Sequence, residues 1–132
     1  QARRFWWKTF SKTLPDADDV DLEEEVGDAV VVFFHAETHD EPPERSDRVF
    51  RKALKHIKWV ANKRSCKTVV LHSFTHLGGA TATPDYARDF VLRMTQRLVD
   101  TGYAVHCTPF GYFCAWEISV HGESMAKVFK EI

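Results

Sequence analysis

Two rhythms of apolar residues run along the chain, and each predicts a kind of element. Ala29 to Ala36 is a nearly continuous apolar, β-branched and aromatic run. Such runs are strands buried on both faces. Lys67 to His72 predicts a second, shorter buried strand. Between them, Val49, Phe50, Ala53, Leu54, Ile57, Val60 and Ala61 recur on one face of a helix, with Arg48, Arg51, Lys52, Lys55 and Lys58 on the other. A second helix is expected from Thr83, a capping residue, through Pro84 in the first turn, to Gly102 just past its end. Its buried stripe is Ala87, Phe90, Val91, Met94 and Leu98.

The flanks are read the same way. Aromatic-rich Arg3 to Phe10 predicts a first strand, and acidic Ser11 to Glu25 a long loop with a short strand near its end. Glu37 to Pro43 breaks the apolar run with two prolines. Tyr103–Cys107 and Tyr112–Val120 predict two strands. Thr108-Pro109-Phe110-Gly111 between them suits a type I turn, so the pair is expected to form a hairpin. In that register Cys107 faces Tyr112 and Val105 faces Cys114, so the cysteines are not partners. The last strand alternates, with Tyr112, Cys114, Trp116, Ile118 and Val120 on one side. Met125, Val128, Phe129 and Ile132 predict a short final helix. The order β, β, α, β, α, β, β, α implies an α+β or mixed α/β fold, with a mixed sheet and helices packed on it.

Composition narrows the class. The 132 residues suit a single domain over 1–132, and 44% apolar content supports a core without disulfides. Three cysteines without a CxxC pair favour a reducing, cytoplasmic setting. The longest apolar run, Ala29–Phe34, is too short to span a bilayer, and no signal peptide is visible. The start on Gln1 suits a trimmed chain. Net charge is −1, which excludes a generally basic nucleic-acid coat, but the charges are segregated. Seven acids and no base lie between Asp16 and Glu25, while nine Lys or Arg and one acid lie between Arg45 and Lys67. The basic face around Arg51, Lys55 and Lys58 suits phosphate binding or plain solvation.

Candidate chemistry is sparse. His35/His39 and His72/His76 are spaced by four, but at strand ends, where that spacing does not converge on a metal. Neither a metal nor a cofactor is expected. No GxSxG elbow or phosphate-loop signature is present. Cys114 in an alternating strand reads as a small hydrophobe. The loops Phe74-Thr75-His76-Leu77 and Pro109-Phe110-Gly111-Tyr112 each set aromatics beside polar groups and free backbone N–H groups. If they meet, they form a small pocket with a titratable histidine at its lip. Ordinary loop packing is the alternative.

At these loops the chain resembles a known family. AVVVFFHAETHDE (29–41), VVLHSFTHLGG (69–79) and TPFGYFCAWEISVHG (108–122) are similar to the editing domain of archaeal threonyl-tRNA synthetases, also found free-standing. That domain shares its fold with the D-aminoacyl-tRNA deacylases. The resemblance implies hydrolysis of serine mistakenly esterified to threonine tRNA. Ala36, Phe74, Thr75, Phe110, Gly111, Tyr112 and Phe113 then line the substrate pocket. His76 takes the place of the family's histidine near the ester. Two departures stand out. The family pattern PFGYYK ends on a lysine that handles substrate or water, where this chain has Cys114, with Phe113 for the second tyrosine. A family glutamate on the last helix falls on Lys127, whose ammonium would partly replace the missing one only if its reach and direction allow. The family's apolar first strand ending in HSD is not found ahead of Arg3. The expected partners are aminoacylated tRNA, contacted through Arg51, Lys55 and Lys58, a threonyl-tRNA synthetase, and a second copy of the chain. A catalytically impaired module that binds aminoacyl-tRNA or a synthetase is the alternative function.

Overall fold

The continuous apolar run becomes the central strand of a mixed sheet, the one position where both faces of a strand are covered. The computed structural model describes all residues, Gln1–Ile132. Its strands are β1 (Ala2–Lys12), β2 (Glu23–Phe34), β3 (Thr68–Ser73), β4 (Ala104–Cys107) and β5 (Tyr112–Val120). Its helices are α1 (Pro43–Asn62) and α2 (Pro84–Asp100). The strand order is β4-β3-β2-β1-β5. β2, β3 and β4 are parallel, joined by α1 and α2 as crossovers, while β1 is antiparallel to both β2 and β5. This is the expected α+β class.

The helices carry their predicted stripes. Phe50, Leu54, Ile57, Val60 and Ala61 of α1 and Met94 and Leu98 of α2 bury against Val30, Val69 and Leu71 of the sheet. Thr83 Oγ1 accepts from Tyr86 N, and Pro84 occupies the first turn of α2, as its cap signal requires. Gly102 takes φ +98° just beyond the helix.

No helix covers the other face, yet Phe5 and Trp7 on it are fully buried. The sheet curls to bury them. The rings of Trp7 on β1 and His106 on β4 lie 6.1 Å apart, although β2 and β3 run between those strands. A flat sheet would hold them about 14 Å apart. The result is a trough lined by Phe5, Trp7, Phe33, Val70, His72, Trp116 and Ile118.

Three expectations need correction. β4 and β5 are not a hairpin; they occupy opposite edges of the sheet. The α2 crossover delivers β4 parallel to β3, and residues 108–111 then carry the chain across the curled end of the sheet to β5, which pairs with β1. Gly111 does not close a type I turn. It takes φ +80° under residues 13–17, where a Cβ would come within 2.9 Å of the Ala17 side chain. The final helix shrinks to one 3-10 turn at Ser124–Ala126. Its eight residues are too few to hold a helix alone, and Phe129 stays largely exposed, so no packing supports one. β2 also starts earlier than the apolar run. Its acidic end, Glu23–Glu25, pairs with Trp6, Trp7 and Lys8. Glu25 bridges to Arg4, and Glu23 accepts from the Trp6 indole at 2.9 Å.

Candidate functional site

The parallel strands β2, β3 and β4 end on the same side of the sheet, so their exits cluster. His72, the next-to-last residue of β3, points into the trough and is 6% exposed. Its Nδ1 shares a hydrogen bond with Thr108 Oγ1 at 2.9 Å, and Thr108 N donates to Leu71 O at 3.1 Å. These bonds tie the stems of the two sequence-predicted loops together. Burial pushes the His72 imidazole down to about 4, so it is neutral at physiological pH. Its role is structural: it packs against Phe33 and reaches the rings of Phe5, Phe74 and Trp116.

The first loop is an accessible platform. Phe74 N donates to Phe34 O at 2.8 Å, extending the ladder one residue past β3. The Phe74 ring packs edge-on against Phe33 and against His76. Thr75, His76 and Leu77 form an exposed 3-10 turn, with His76 held in place by the Phe74 ring. Ala36 lies beside this turn, its carbonyl accepting from Ala82 N at 3.0 Å. Ala36, Leu77, Gly78 and Gly79 line the mouth of a cavity of 650 Å³ that runs back beneath β2.

The second loop faces elsewhere. Gly111 O accepts from Thr13 N and Leu14 N, and the Tyr112 hydroxyl donates to Asp18 O and accepts from Val20 N. Phe110 packs under the Arg88 guanidinium. No hydrogen bond or ring contact joins Phe110–Tyr112 to Thr75–Leu77 within this chain. The structure therefore brings Ala36, Phe74, Thr75 and His76 together, and sets Phe110, Gly111 and Tyr112 against the 13–20 segment.

The remaining candidates divide similarly. Cys114 lies on the trough side of β5 opposite Thr9, and burial pushes its thiol up, so it stays protonated. Phe113 is exposed on the other side. Lys127 Nζ turns back to the carbonyls of His121 and Gly122, so its ammonium caps its own loop. Arg51, Lys55 and Lys58 share one shallow surface depression with Trp59 on the solvent side of α1. All three cysteines are free.

Sequence reasoning weighed His35 only as a metal ligand and missed Glu37. Both ring nitrogens of His35 are buried without a partner at the cavity wall. Glu37 pairs with His39 at 3.1 Å. The signal was Gly78: a Cβ there would fall 2.2 Å from Glu37 Oε1 and 2.6 Å from the His35 ring. Gly78 allows the platform to close on these two side chains, a role unrelated to phosphate. Chemically, the cavity offers exposed backbone at Leu77–Gly79 beside the side chains of His35, Glu37 and His39, while His76 stands on the adjoining exposed turn, outside the lining.

Comparisons with known proteins identify the family and the fold. The profile of the archaea-specific editing domain of threonyl-tRNA synthetase matches residues 1–132. A threonine–tRNA ligase of Methanosphaera stadtmanae is 32% identical over 129 residues, covering 96% of this chain and 20% of that protein. The Thermococcus kodakarensis threonine–tRNA ligase is 30% identical over 124 residues, covering 92% and 20%. The chain thus spans about a fifth of these relatives. A solved structure named c-Myc DNA unwinding element binding protein, of the D-aminoacyl-tRNA deacylase-like fold, superposes with TM-score 0.56 at 14% identity, covering 90% of this chain and 93% of that one.

Proposed function

The chain belongs to the archaea-specific editing-domain family of threonyl-tRNA synthetase, and on that premise we propose that it hydrolyses the ester of mischarged seryl-tRNA(Thr). The observation that carries this reading is the cavity mouth at Ala36 and Leu77–Gly79, with His76 exposed on the turn above it. Water adds to the ester carbonyl, the bond to the ribose oxygen breaks, and that oxygen takes a proton. His76 positions the water or the terminal adenosine. Ala36 and Phe74-Thr75 set the size limit, which must exclude the methyl group that threonine adds. The working place is the cytoplasm, and a threonyl-tRNA synthetase is the partner that generates the substrate.

The test is release of serine and threonine from their tRNAs by this chain, by His76→Ala and by Cys114→Lys. Serine release at least about tenfold faster than threonine release is expected, with about a tenfold loss in His76→Ala and a gain in Cys114→Lys. Equal rates for the two amino acids would remove the editing assignment. One observation favours the binding module instead: a protonated thiol, Cys114, stands where the family carries an ammonium. No release by the parent, with release in Cys114→Lys, selects that reading.

The acceptor stem is assigned to Arg51, Lys55 and Lys58, with half-exposed Trp59 between them. Changing the three to glutamine should reduce the slope of log affinity against log salt by about 2 to 3. An unchanged slope removes α1 from the tRNA path. A homodimer is proposed through the open edge of β5, where Phe113 and Trp116 are exposed. Sedimentation should then give twice 15.2 kDa at micromolar concentration, and a single-copy mass would refute it.

A further inference from the structure

Where the chain leaves β2 it turns at once, and short bonds fix each step of the turn. Ala36 O accepts from Ala82 N at 3.0 Å, and Thr38 N donates to Ala80 O at 3.2 Å. Thr38 Oγ1 adds a bond to Thr81 O at 3.0 Å. Thr38–Asp40 then forms one 3-10 turn, with Asp40 N donating to Glu37 O and Glu37 N donating to Asp40 Oδ2 at 3.0 Å. Asp40 is buried, and its other oxygen takes Arg45 Nε at 3.3 Å. The backbone that carries His39 is therefore held from both sides.

That turn sets one imidazole beside two carboxylates. His39 Nε2 lies 3.1 Å from Glu37 Oε2 and 3.7 Å from Asp40 Oδ1. The other Glu37 oxygen, Oε1, lies against Gly78, where a Cβ would not fit. The glycine thus leaves room for the carboxylate between the β3 exit and the ring. Two carboxylates beside Nε2 favour a proton on that nitrogen and leave the lone pair on Nδ1. Both contacts run through Nε2, so Nδ1 is free to accept. An imidazole oriented by a carboxylate at one nitrogen and free at the other is the arrangement that activates water for acyl transfer.

Location selects this imidazole over its neighbour. Glu37 and His39 line the cavity whose mouth is Ala36 and Leu77–Gly79, whereas His76 stands on the turn outside that lining. His39 is also half-exposed, so a substrate at the mouth reaches it. We propose that His39 is the general base of the ester hydrolysis and that Glu37 is its positioning residue; this rests on the editing reading above. His39 Nδ1 takes a proton from water as the water oxygen bonds to the ester carbonyl carbon. The bond from that carbon to the ribose oxygen then breaks, and the imidazolium returns its proton to the leaving oxygen. The products are the free amino acid and the tRNA hydroxyl, with His39 neutral again. This step needs no ammonium at position 114, and it leaves His76 to hold the terminal adenosine.

Single-turnover release of serine from seryl-tRNA tests this in the parent, His39→Asn and Glu37→Gln. Affinity is measured in parallel with seryl-3′-aminoadenosine, whose amide resists hydrolysis. His39→Asn should lose about 100-fold in rate and Glu37→Gln about tenfold, both with affinity close to that of the parent. Imidazole 15N shifts should show the Nε2–H tautomer of His39 in the parent and a mixture in Glu37→Gln. A His39→Asn rate within about threefold of the parent overturns the proposal. So does a loss that lies wholly in affinity, which makes His39 a binding residue. An Nδ1–H tautomer in the parent overturns it without reference to activity. A parent that releases no serine overturns the editing reading and this step with it, whereas serine release that survives in His39→Asn overturns this step alone.

Discussion

Replacing Trp7 with alanine should destabilise this domain by about 4 kcal/mol, within the range for large aromatic truncations in a core. That is a large share of the roughly 5–15 kcal/mol that holds a domain of this kind folded. The residue lies on the sheet face that no helix covers, so a two-layer picture would predict a mild effect. The curl of the sheet reverses that expectation. Trp7 is fully buried, stacked on Phe5 at 5.5 Å and edge-on to His106 at 6.1 Å, and it bridges the floor of the trough from β1 to β4. Alanine would leave a hole that only unbending the sheet could close. Trp7→Phe should cost much less. It retains most of the ring, and it removes an indole Nε1 that is buried without a partner. Urea unfolding of the two variants checks both. An alanine variant within about 1 kcal/mol of the parent would mean that the trough is not a core.

The same curl explains what could and could not be read from the residues. Elements whose signal is local were legible. The Thr83-Pro84 start of α2, the one-face stripe of α1 and the alternation of Tyr112 to Val120 each follow from contacts within a few residues. Elements that depend on distant partners were not. The short strand expected near Glu25 turns out to be one with the apolar run, which shows only when Arg4 and Trp6 are seen across the ladder, where they meet the carboxylates of Glu25 and Glu23. A short link between two strands suggests a hairpin, but here the strands next to β4 and β5 are already fixed as β3 and β1. Met125 to Ile132 have helical spacing without the packing that would pay for a helix.

The candidate site follows the same division. Ala36, Phe74, Thr75 and His76, named from the resemblance and from loop composition, lie together because they sit at the ends of adjacent parallel strands, where loops converge by construction. Phe110 to Tyr112 were grouped with them on composition, and their bonds go to Thr13, Leu14, Asp18 and Val20 instead. His35 was weighed only as half of a metal pair with His39, and its enclosure at the cavity wall left no mark in the spacing. Only the closeness of Gly78 to its ring reveals that it is enclosed.

His72 should make the domain acid-sensitive well above the range where carboxylates titrate. Its imidazole is 6% exposed among Phe5, Phe33, Phe74 and Trp116, and burial lowers it from 6.5 to about 4. The sign follows from where the proton binds. Above pH 6.5 the ring is neutral in both states and the pH has no effect. Between 6.5 and about 4 the unfolded chain takes up a proton that the folded chain refuses, so stability falls as pH falls. The full loss is about 3 kcal/mol, of which about 2–3 is reached near pH 4.5. Surface pairs add little to this slope, because Asp19 and Glu123 are exposed and solvent screens their partners. His72→Asn preserves a polar partner for Thr108 Oγ1 and does not titrate. It should therefore be less stable than the parent near neutrality, yet lose much less between pH 7 and 4.5. Urea unfolding of both proteins at several pH values separates the two terms. Parallel curves would show that His72 takes its proton in the folded state, which the closed trough forbids. Convergence of the curves toward low pH would assign to His72 its share of the acid response, beside that of His56, which burial also lowers, and would tie that share to the ring that joins the stems of both loops.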